Sequence, residues 1–473
     1  MKTTYHLSPN VRIVRGQATE NAMVYHTLYG NPRIVNTEGL EFLNVFKQPR
    51  TLQEIAEFCA DDPHEAIQDF SALYFLVEPG FDEKKFLLEQ REKHLKHVGD
   101  GKIVDRMGLA ISDSCNFGCT HCIHFQRDSN GNEILPTYQK PFRQLNMNWE
   151  TAKKCIDHYI ALMRKQGSDQ CRIHFGNAEP LTNWELVEKI LGYCAGMKEL
   201  SFDFAINTNL SLLTRDIAET LKKYRVKIAT SLDGMSRANN AIRITKGGNE
   251  TFDSICQKFD LLSEINYPLD GFSITVAKGN FDLIDTDIIE WAAKRNMTSI
   301  AFDYDLVGLV ETPVAERVAK LMHFKKIANK HGIDFFGTWD SAFRNLTSQS
   351  LLTGNHAFCA AVEGKSLEFN VDGSIKMCSH TTTPIGHINS FAGMFKRGSG
   401  MLNIIKQRFP GTDTYCSGCM IEGSCGGQCH VTREVAQRSL ENKKVFEDMC
   451  DFYRSVTEAL IHDQLASTSA LTS

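Results

Sequence analysis

The chain has 473 residues, with 52 Lys plus Arg against 57 Asp plus Glu, a formal net charge of −5, and 42% hydrophobic residues. Those proportions are ordinary for folded domains; they exclude collagen, wholesale disorder and coiled coil, and they offer no basic footprint for a nucleic-acid or anionic-membrane surface. No run of 18 apolar residues occurs, Ala72–Val77 being far too short to span a bilayer, and the opening Met-Lys-Thr-Thr-Tyr-His lacks the apolar centre of a signal peptide, so a cytoplasmic protein is the expectation.

Residues 1–98 read as a small separate unit with its linker. Val11–Val14, Met23–Tyr29 and Arg33–Val35 are strand-like runs around a Gly30-Asn31-Pro32 turn. Thr37 is placed to cap a helix carrying Leu40, Leu43 and Phe46, and Thr51 caps the next with Glu54 at capping-box spacing. Asp62-Pro63 opens a third helix with Ala66, Ile67, Phe70 and Leu73 on one face. Strands followed by three short helices suggest a winged-helix-like domain, joined onward by a charged helical linker at Glu83–His97.

Residues 99–340 alternate strand and helix patterns. Six strands are expected at Met107–Ser112, Arg172–Phe175, Phe202–Ile206, Lys227–Ser231, Phe272–Val276 and Ser299–Phe302. Helices are expected between them, with Asn148 and Asn183 as N-caps. Such alternation argues for an α/β fold with a parallel sheet, and six units are too few to close an eight-fold barrel, so a partial (β/α)6 TIM-like barrel is the expected form. Residues 341–473 lack the alternation. They hold Gly-rich loops, a strand at Ser366–Val371 before an Asp372-Gly373 turn, and a low-complexity tail from Leu465 that reads as disordered.

Fifteen cysteines stand out. In a reducing compartment they suggest metal ligands more than disulfides. Cys59, Cys155, Cys171, Cys194 and Cys256 are scattered and suit packing as small hydrophobes. Cys115, Cys119 and Cys122 fall on one tight loop directly after the first barrel strand, where α/β folds place active sites. Three thiolates there can hold three corners of a cubane cluster and leave one iron open for a small molecule, since a [4Fe–4S] cluster normally takes four cysteines. The competing reading is a zinc site completed by His121 or His124, although C-x3-C-x2-C is an unusual zinc knuckle.

This motif, followed by five further β/α units, resembles the radical S-adenosylmethionine (SAM) superfamily. The resemblance implies a [4Fe–4S] cluster that chelates the methionine part of SAM and, on receiving an electron from a flavodoxin or ferredoxin, releases a 5′-deoxyadenosyl radical. It also implies cofactor-binding roles. Gly176-Asn177-Ala178-Glu179-Pro180 is similar to the family's Gly-Gly-Glu-Pro but one residue longer, with Gly176 and Glu179 toward the SAM amino group. Asn209, in Thr208-Asn209-Leu210, and Ser231, in Ser231-Leu232-Asp233-Gly234, are implied at the ribose or carboxylate. Arg243 is implied at the carboxylate and His121 against the adenine. Plain structural roles stand beside these: Glu179 as a helix cap, Ser231 as a strand-end turn residue, Arg243 as a surface charge.

The spacing Cys359-x13-Gly373-x4-Cys378, then Cys416-x2-Cys419-x5-Cys425-x3-Cys429, then Cys450, resembles the seven-cysteine SPASM region of peptide-modifying radical SAM enzymes. It implies two auxiliary iron–sulfur clusters, an outer one on Cys416, Cys419, Cys425 and Cys450 and an inner one on Cys359, Cys378 and Cys429. No cysteine lies between Cys256 and Cys359 to complete the inner set, which leaves an open iron, a water or a ligand such as His356. Sulfatase-maturing relatives carry an Asp base right after the second of these cysteines; here Ser379-His380 follows Cys378, which argues against that reaction and leaves His380 as a candidate base.

The first unit, from Val24 to Val77, resembles the PqqD-like RiPP recognition element, which holds leader peptides by strand addition. The segment Pro63–Tyr74 contains no Lys or Arg, against a DNA-reading helix. The combined expectation is a radical SAM oxidoreductase that matures a ribosomal precursor peptide, abstracting a hydrogen and forming a C–C or C–heteroatom crosslink. The alternatives are a radical SAM/SPASM enzyme acting on a tetrapyrrole or protein side chain, and a zinc-stabilised winged-helix regulator.

Overall fold

The structure is a computed structural model that describes residues 4–17, 19–58, 62–123, 146–305, 309, 311–348, 357–437 and 440–472. Cys59, His124 and His356 lie outside the described residues.

After β1 (Thr4–Leu7), strands β2 (Val11–Arg15), β3 (Ala22–His26) and β4 (Gly30–Val35) form an antiparallel sheet in that order. There follow α1 (Thr37–Val45), β5 (Arg50–Thr51), α2 (Leu52–Ala56), α3 (His64–Ala72) and β6 (Leu76–Val77), and β5 and β6 both pair antiparallel with β1. The Thr51 capping box forms: its hydroxyl accepts from the Glu54 N–H while the Glu54 carboxylate accepts from the Thr51 N–H. The cap of α1 is Asn36 rather than Thr37, with Asn36 Oδ1 accepting the Gly39 N–H at 2.9 Å. Asn is the stronger capping residue of the two, so the helix starts one position earlier than expected. Leu40, Leu43, Phe46, Ile55 and Ile67 bury the inner faces of the three helices against Ala22 and Val24.

The long helix α4 (Glu83–Gly99) leads to the barrel. Its strands are β7 (Arg106–Ser112), β8 (Gln170–Asn177), β9 (Ser201–Asn207), β10 (Lys227–Ala229), β11 (Gly271–Val276), β12 (Ser299–Tyr304) and β13 (Asp334–Phe336). The intervening helices are α5 (Trp149–Lys165), α6 (Trp184–Ala195), α7 (Arg215–Lys223), α8 (Ser236–Ile242), α9 (Phe252–Glu264), α10 (Asp287–Ala293) and α11 (Val314–Lys330). Strands β7–β10 are parallel neighbours, as are β11–β13. A parallel bridge between Ser231 and Ser273 joins the two runs into one arc. All six expected strands are present. The seventh, β13, is three residues long, too short to show a period. Asn148 caps α5 as expected, but Asn183 makes no capping bond: its amide instead donates to the Ile111 and Met147 carbonyls, each at 3.1 Å, tying α6 to β7.

Met107, Leu109 and Ile111 of β7 and Ile173 and Phe175 of β8 are buried in one core with Cys155, Ile156 and Tyr159 of α5. Each such side chain contributes about 1.5–3 kcal/mol when withdrawn from water. Cys155, Cys171 and Cys194 pack there as small hydrophobes, and Cys256 is half-buried.

The C-terminal third comprises α12 (Ser341–Ser348), α13 (Ala360–Glu363), β14 (Ser366–Phe369), β15 (Ser374–Lys376), β16 (Gly386–His387), α14 (Gly400–Arg408), α15 (Glu422–Cys425), α16 (His430–Ala436) and α17 (Leu440–Thr472). Strand β14 pairs parallel with β7, Glu368 standing beside Gly108, so this third extends the barrel sheet instead of merely following it. Among the described residues no pairing joins β13 to β14, and the arc stays open. The tail is not disordered from Leu465: the helix α17 continues through it, because Ile461 and Leu465 are buried with Val14, Met23 and Tyr25 of the first sheet.

Phe302 is fully buried among Tyr304, Phe324 and Phe335, with ring centroids 5.1–5.6 Å away. Phe302→Ala is expected to cost about 3–5 kcal/mol, read as a lowered thermal midpoint. His94 on α4 is pushed down to about 4, chiefly by burial. The unfolded ring titrates near pH 6.5, so it binds protons that the folded ring refuses, and the His94 contribution to stability falls as pH drops from about 6.5 to 4. His94→Gln should flatten the midpoint-against-pH curve over that window; an unchanged slope would contradict it.

Candidate functional site

The loop after β7 is pinned before any ligand is considered. The Gly118 N–H donates to the Ile244 carbonyl at 2.8 Å and the Thr120 N–H to the Ile242 carbonyl at 2.9 Å, while Phe117 bridges to Thr245. The chain beyond α8 thus forms a backbone clamp on the cysteine loop. Cys115, Cys119 and Cys122 then face a cavity of about 260 Å³. His121, Asn209, Ser231, Arg243 and His380 line the same cavity, so the structure brings together eight of the residues singled out from sequence. Gly176 and Glu179 do not line it.

Glu179 works from behind the wall. Its carboxylate accepts from the Leu181 N–H at 3.1 Å, the Thr208 hydroxyl at 2.7 Å and the Asn209 N–H at 2.7 Å. Burial lifts its carboxyl, against those three donors. It therefore caps the turn at Pro180 and also fixes Asn209, whose Nδ2 lies 3.8 Å from Cys115 Sγ and 2.9 Å from Asn116 Oδ1. The register between β7 and β8 shifts beside this motif, Ala110 pairing with Gly176 and Ser112 with Asn177, so that Ile111 of β7 is the unpaired residue of the bulge. Asn177 takes a left-handed φ of 79° there, which Asn tolerates, and donates to Asp113 Oδ1 at 2.7 Å. Leu210 also adopts a left-handed φ, 64°, a conformation that favours glycine. That strain, on the order of 1–3 kcal/mol, is offset by complete burial of the side chain.

Arg243 is buried, with Nε 2.7 Å from Asp233 Oδ2 and Nη1 3.8 Å from Cys119 Sγ. It is not a surface charge. His121 Nε2 lies 3.7 Å from the same Asp233 oxygen, and burial holds the ring near a pKa of about 4, so it is neutral at neutral pH. Burial pushes the Cys115 and Cys119 thiols up. A metal must therefore displace protons to load this site, and the donors already aimed at sulfur, Phe117 N–H to Cys115 at 3.4 Å, Asn209 and Arg243, favour the resulting thiolates. The three thiols, with donors around them and space in front, fit a cluster held on one side only. Among the described residues no three His, Cys, Asp or Glu side chains stand close enough to hold a single metal ion.

Two residues escaped the sequence reading. Thr230 Oγ1 is buried at the cavity wall with no hydrogen-bond partner among the described residues; its place beside Ser231 at a strand end was the available signal. Glu368 lines a second chamber of about 190 Å³ with Arg106, His174, Cys359 and Cys378. Pairing aligns Glu368, Gly108, His174 and Ala205 across four strands, on the face that carries Asn207 into the first cavity. A Cβ on Gly108 would overlap the Glu368 carboxylate, so glycine is what lets that carboxylate lie across β7. Burial lifts it to about 7.

The seven C-terminal cysteines stand in two groups. Cys416, Cys419, Cys425 and Cys450 line one small pocket with Tyr453 and Arg454. Arg433 Nη2 lies 3.8 Å from Cys416 Sγ, Arg454 Nη1 4.0 Å from Cys419 Sγ, and Gln428 Nε2 3.0 Å from Cys450 Sγ, while the Gln428 N–H meets Cys425 Sγ at 3.1 Å. Cys359, Cys378 and Cys429 are mutual electrostatic neighbours, and burial pushes Cys378 and Cys429 up.

An open parallel α/β arc with a cysteine loop at the end of its first strand, facing a cavity at the strand ends, defines a class of metal-dependent barrel enzyme. Residues 109–282 match the Radical SAM superfamily: the chain carries a radical SAM domain, whose members are enzymes and whose cofactors are a [4Fe–4S] cluster and SAM. Over 444 residues the chain is 24% identical to the radical SAM cyclopropyl synthase TigE of Paramaledivibacter caminithermalis, covering 93% of this chain and 92% of TigE. It shares the fold of native anSMEcpe with bound AdoMet (TM-score 0.55, 15% identity, 74% of this chain and 99% of that one). It also shares the fold of Streptococcus suis SuiB bound to the precursor peptide SuiA (TM-score 0.52, 13% identity, 92% and 98%). Among the described residues no helix is long and apolar enough to cross a membrane.

Replacing Cys115, Cys119 and Cys122 together by Ala should remove about four irons per chain and abolish reductive SAM cleavage, measured by iron assay and by chromatography of 5′-deoxyadenosine. Thr230→Val should weaken SAM binding up to about tenfold with little change in thermal midpoint. Equal affinity in equilibrium dialysis would show that the hydroxyl meets no ligand.

Proposed function

We propose that this chain matures a ribosomally made precursor peptide by radical chemistry. The observation that carries the reading is the presence of further cysteine groups beside the barrel: the loop trio stands at the mouth of β7, Cys359 and Cys378 line a chamber with Arg106, Gly108 and His174 of the sheet that β14 extends, and Cys416, Cys419, Cys425 and Cys450 line a pocket of their own.

With a cluster and SAM bound, the mouth supplies a 5′-deoxyadenosyl radical able to take a hydrogen atom from carbon. The chain's own residues do the rest. Cys115, Cys119 and Cys122 would hold that cluster through their three thiolates. Arg243, set by Asp233, and Ser231 and Thr230 receive the polar groups of SAM, Glu179 acts by placing Asn209, and His121 offers a neutral ring. Cys416, Cys419, Cys425 and Cys450 would hold an outer auxiliary cluster, and Cys359, Cys378 and Cys429 an inner one, giving the substrate electron a way out. His380 lines the cavity two residues past Cys378 at an exposed position, from which it would accept a proton. The unit at residues 1–98 would hold the leader segment, and a flavodoxin or ferredoxin would supply electrons.

Support for a peptide substrate comes from the fold shared with SuiB, which was crystallised with its precursor peptide, and with anSMEcpe, which was crystallised with AdoMet and a peptide. The product is a C–C or C–heteroatom bond made with loss of two hydrogens. The likeness to a cyclopropyl synthase over nearly the whole chain favours the C–C case.

The test is anaerobic incubation with SAM, dithionite and the short peptide encoded beside the gene. Tandem mass spectrometry should show loss of two hydrogens per modification, confined to one residue for ring closure or spanning two for a crosslink. SAM cleavage with an unaltered peptide would reject this substrate class.

A further inference from the structure

Arg408 ends α14, and its side chain is buried. One Nη2 N–H donates to the Gln428 carbonyl, while Nε and Nη1 have no hydrogen-bond partner among the described residues. The charged groups around it are Arg433, which repels it, and Cys425, Cys429 and Cys359. The carboxylate of Asp413 also feels Arg408 but is engaged by Arg433. Burial presses the Arg408 guanidinium down to about 10, so it remains a cation at neutral pH.

A buried, unpaired charge costs several kcal/mol, and no carboxylate pairs with this one among the described residues. The other two guanidinium groups beside these cysteines differ: Arg433 pairs with Asp413 and Arg454 with Asp451. What surrounds Arg408 is sulfur from both sets, Cys425 from the outer and Cys359 and Cys429 from the inner. As thiols these offset nothing. As thiolates on clusters they would place net negative charge on both sides of the guanidinium; a four-thiolate [4Fe–4S] cluster carries about −2 in its oxidised form.

We infer that Arg408 is the shared counter-cation of the two auxiliary clusters and holds up their reduction potentials. The inference rests on the reading that the seven cysteines carry two clusters. Reduction adds negative charge beside a fixed positive one, so the cation favours the reduced state, and net charge is one of the levers that sets cluster potential. Arg408 touches no substrate; it is a positioning residue for charge. Gln428 is its anchor, held at a left-handed φ of 58° between Cys425 and Cys429, with its amide on Cys450 and its carbonyl on Arg408. One short segment thus links both cysteine sets to the same cation.

The test uses the full chain, purified and reconstituted anaerobically, as wild type, Arg408→Met and Arg408→Lys. Iron is counted colorimetrically, and potentials are read by EPR-monitored redox titration. Wild type should hold about twelve irons. Arg408→Met should shift the auxiliary signals to lower potential, Arg408→Lys should stay close to wild type, and the signal lost on replacing Cys115, Cys119 and Cys122 should not move. Full iron with unshifted potentials in Arg408→Met overturns the inference. If Arg408→Met loses iron, retention by Arg408→Lys supports a role for charge, and loss in both variants overturns it. A wild type holding only about four irons overturns the two-cluster reading itself, a different failure visible before any variant is made.

Discussion

The parallel pairing of β14 with β7 is the contact on which the functional arrangement depends. Strand β7 delivers the Cys115–Cys122 loop at its C-terminal end, and β14 leads through the Asp372-Gly373 turn to Cys378. Because the two strands share hydrogen bonds, the separation between the cavity-facing loop and Cys378 is set by sheet geometry, not by a flexible linker. His380 enters the first cavity and Glu368 faces the second chamber as direct consequences of that register.

A second constraint is electrostatic. Most cysteines of the three sets are half-buried and Cys425 is fully buried, and that burial opposes thiolate formation. The fold answers with donors at sulfur: amides and guanidiniums at Cys115, Cys119, Cys416, Cys425 and Cys450. Buried cations in turn need anions. Arg243 finds Asp233, whereas Arg408 finds sulfur. The protein interior is thus arranged around negative charge at the cysteine sites, which is the charge that thiolate-bound iron clusters carry.

The N-terminal sheet is fastened to the other end of the chain. Val14, Met23 and Tyr25 pack on Ile461 and Leu465 of α17, and Leu28 forms a close backbone contact with Gly423, whose N–H donates to the Thr27 carbonyl at 2.8 Å. A peptide held by this unit would meet the barrel in a fixed relation, since α17 also packs on α11 and carries Cys450.

The cysteine spacing, the β/α alternation and the capping box at Thr51 are properties of neighbouring residues, and all were legible in the sequence, because loop geometry, strand period and helix capping act over a few positions. The sequence by itself thus determined the six main barrel strands and which thiols stand together on a loop. Tertiary structure alone decided that Glu179 supports Asn209 from behind the cavity wall, that Gly108 makes room for Glu368, that Leu465 continues a helix, and that Arg408 lies between two cysteine sets. These depend on burial and on partners tens to hundreds of residues away, where the energy of a side chain is set by what the fold places beside it and not by its neighbours along the chain.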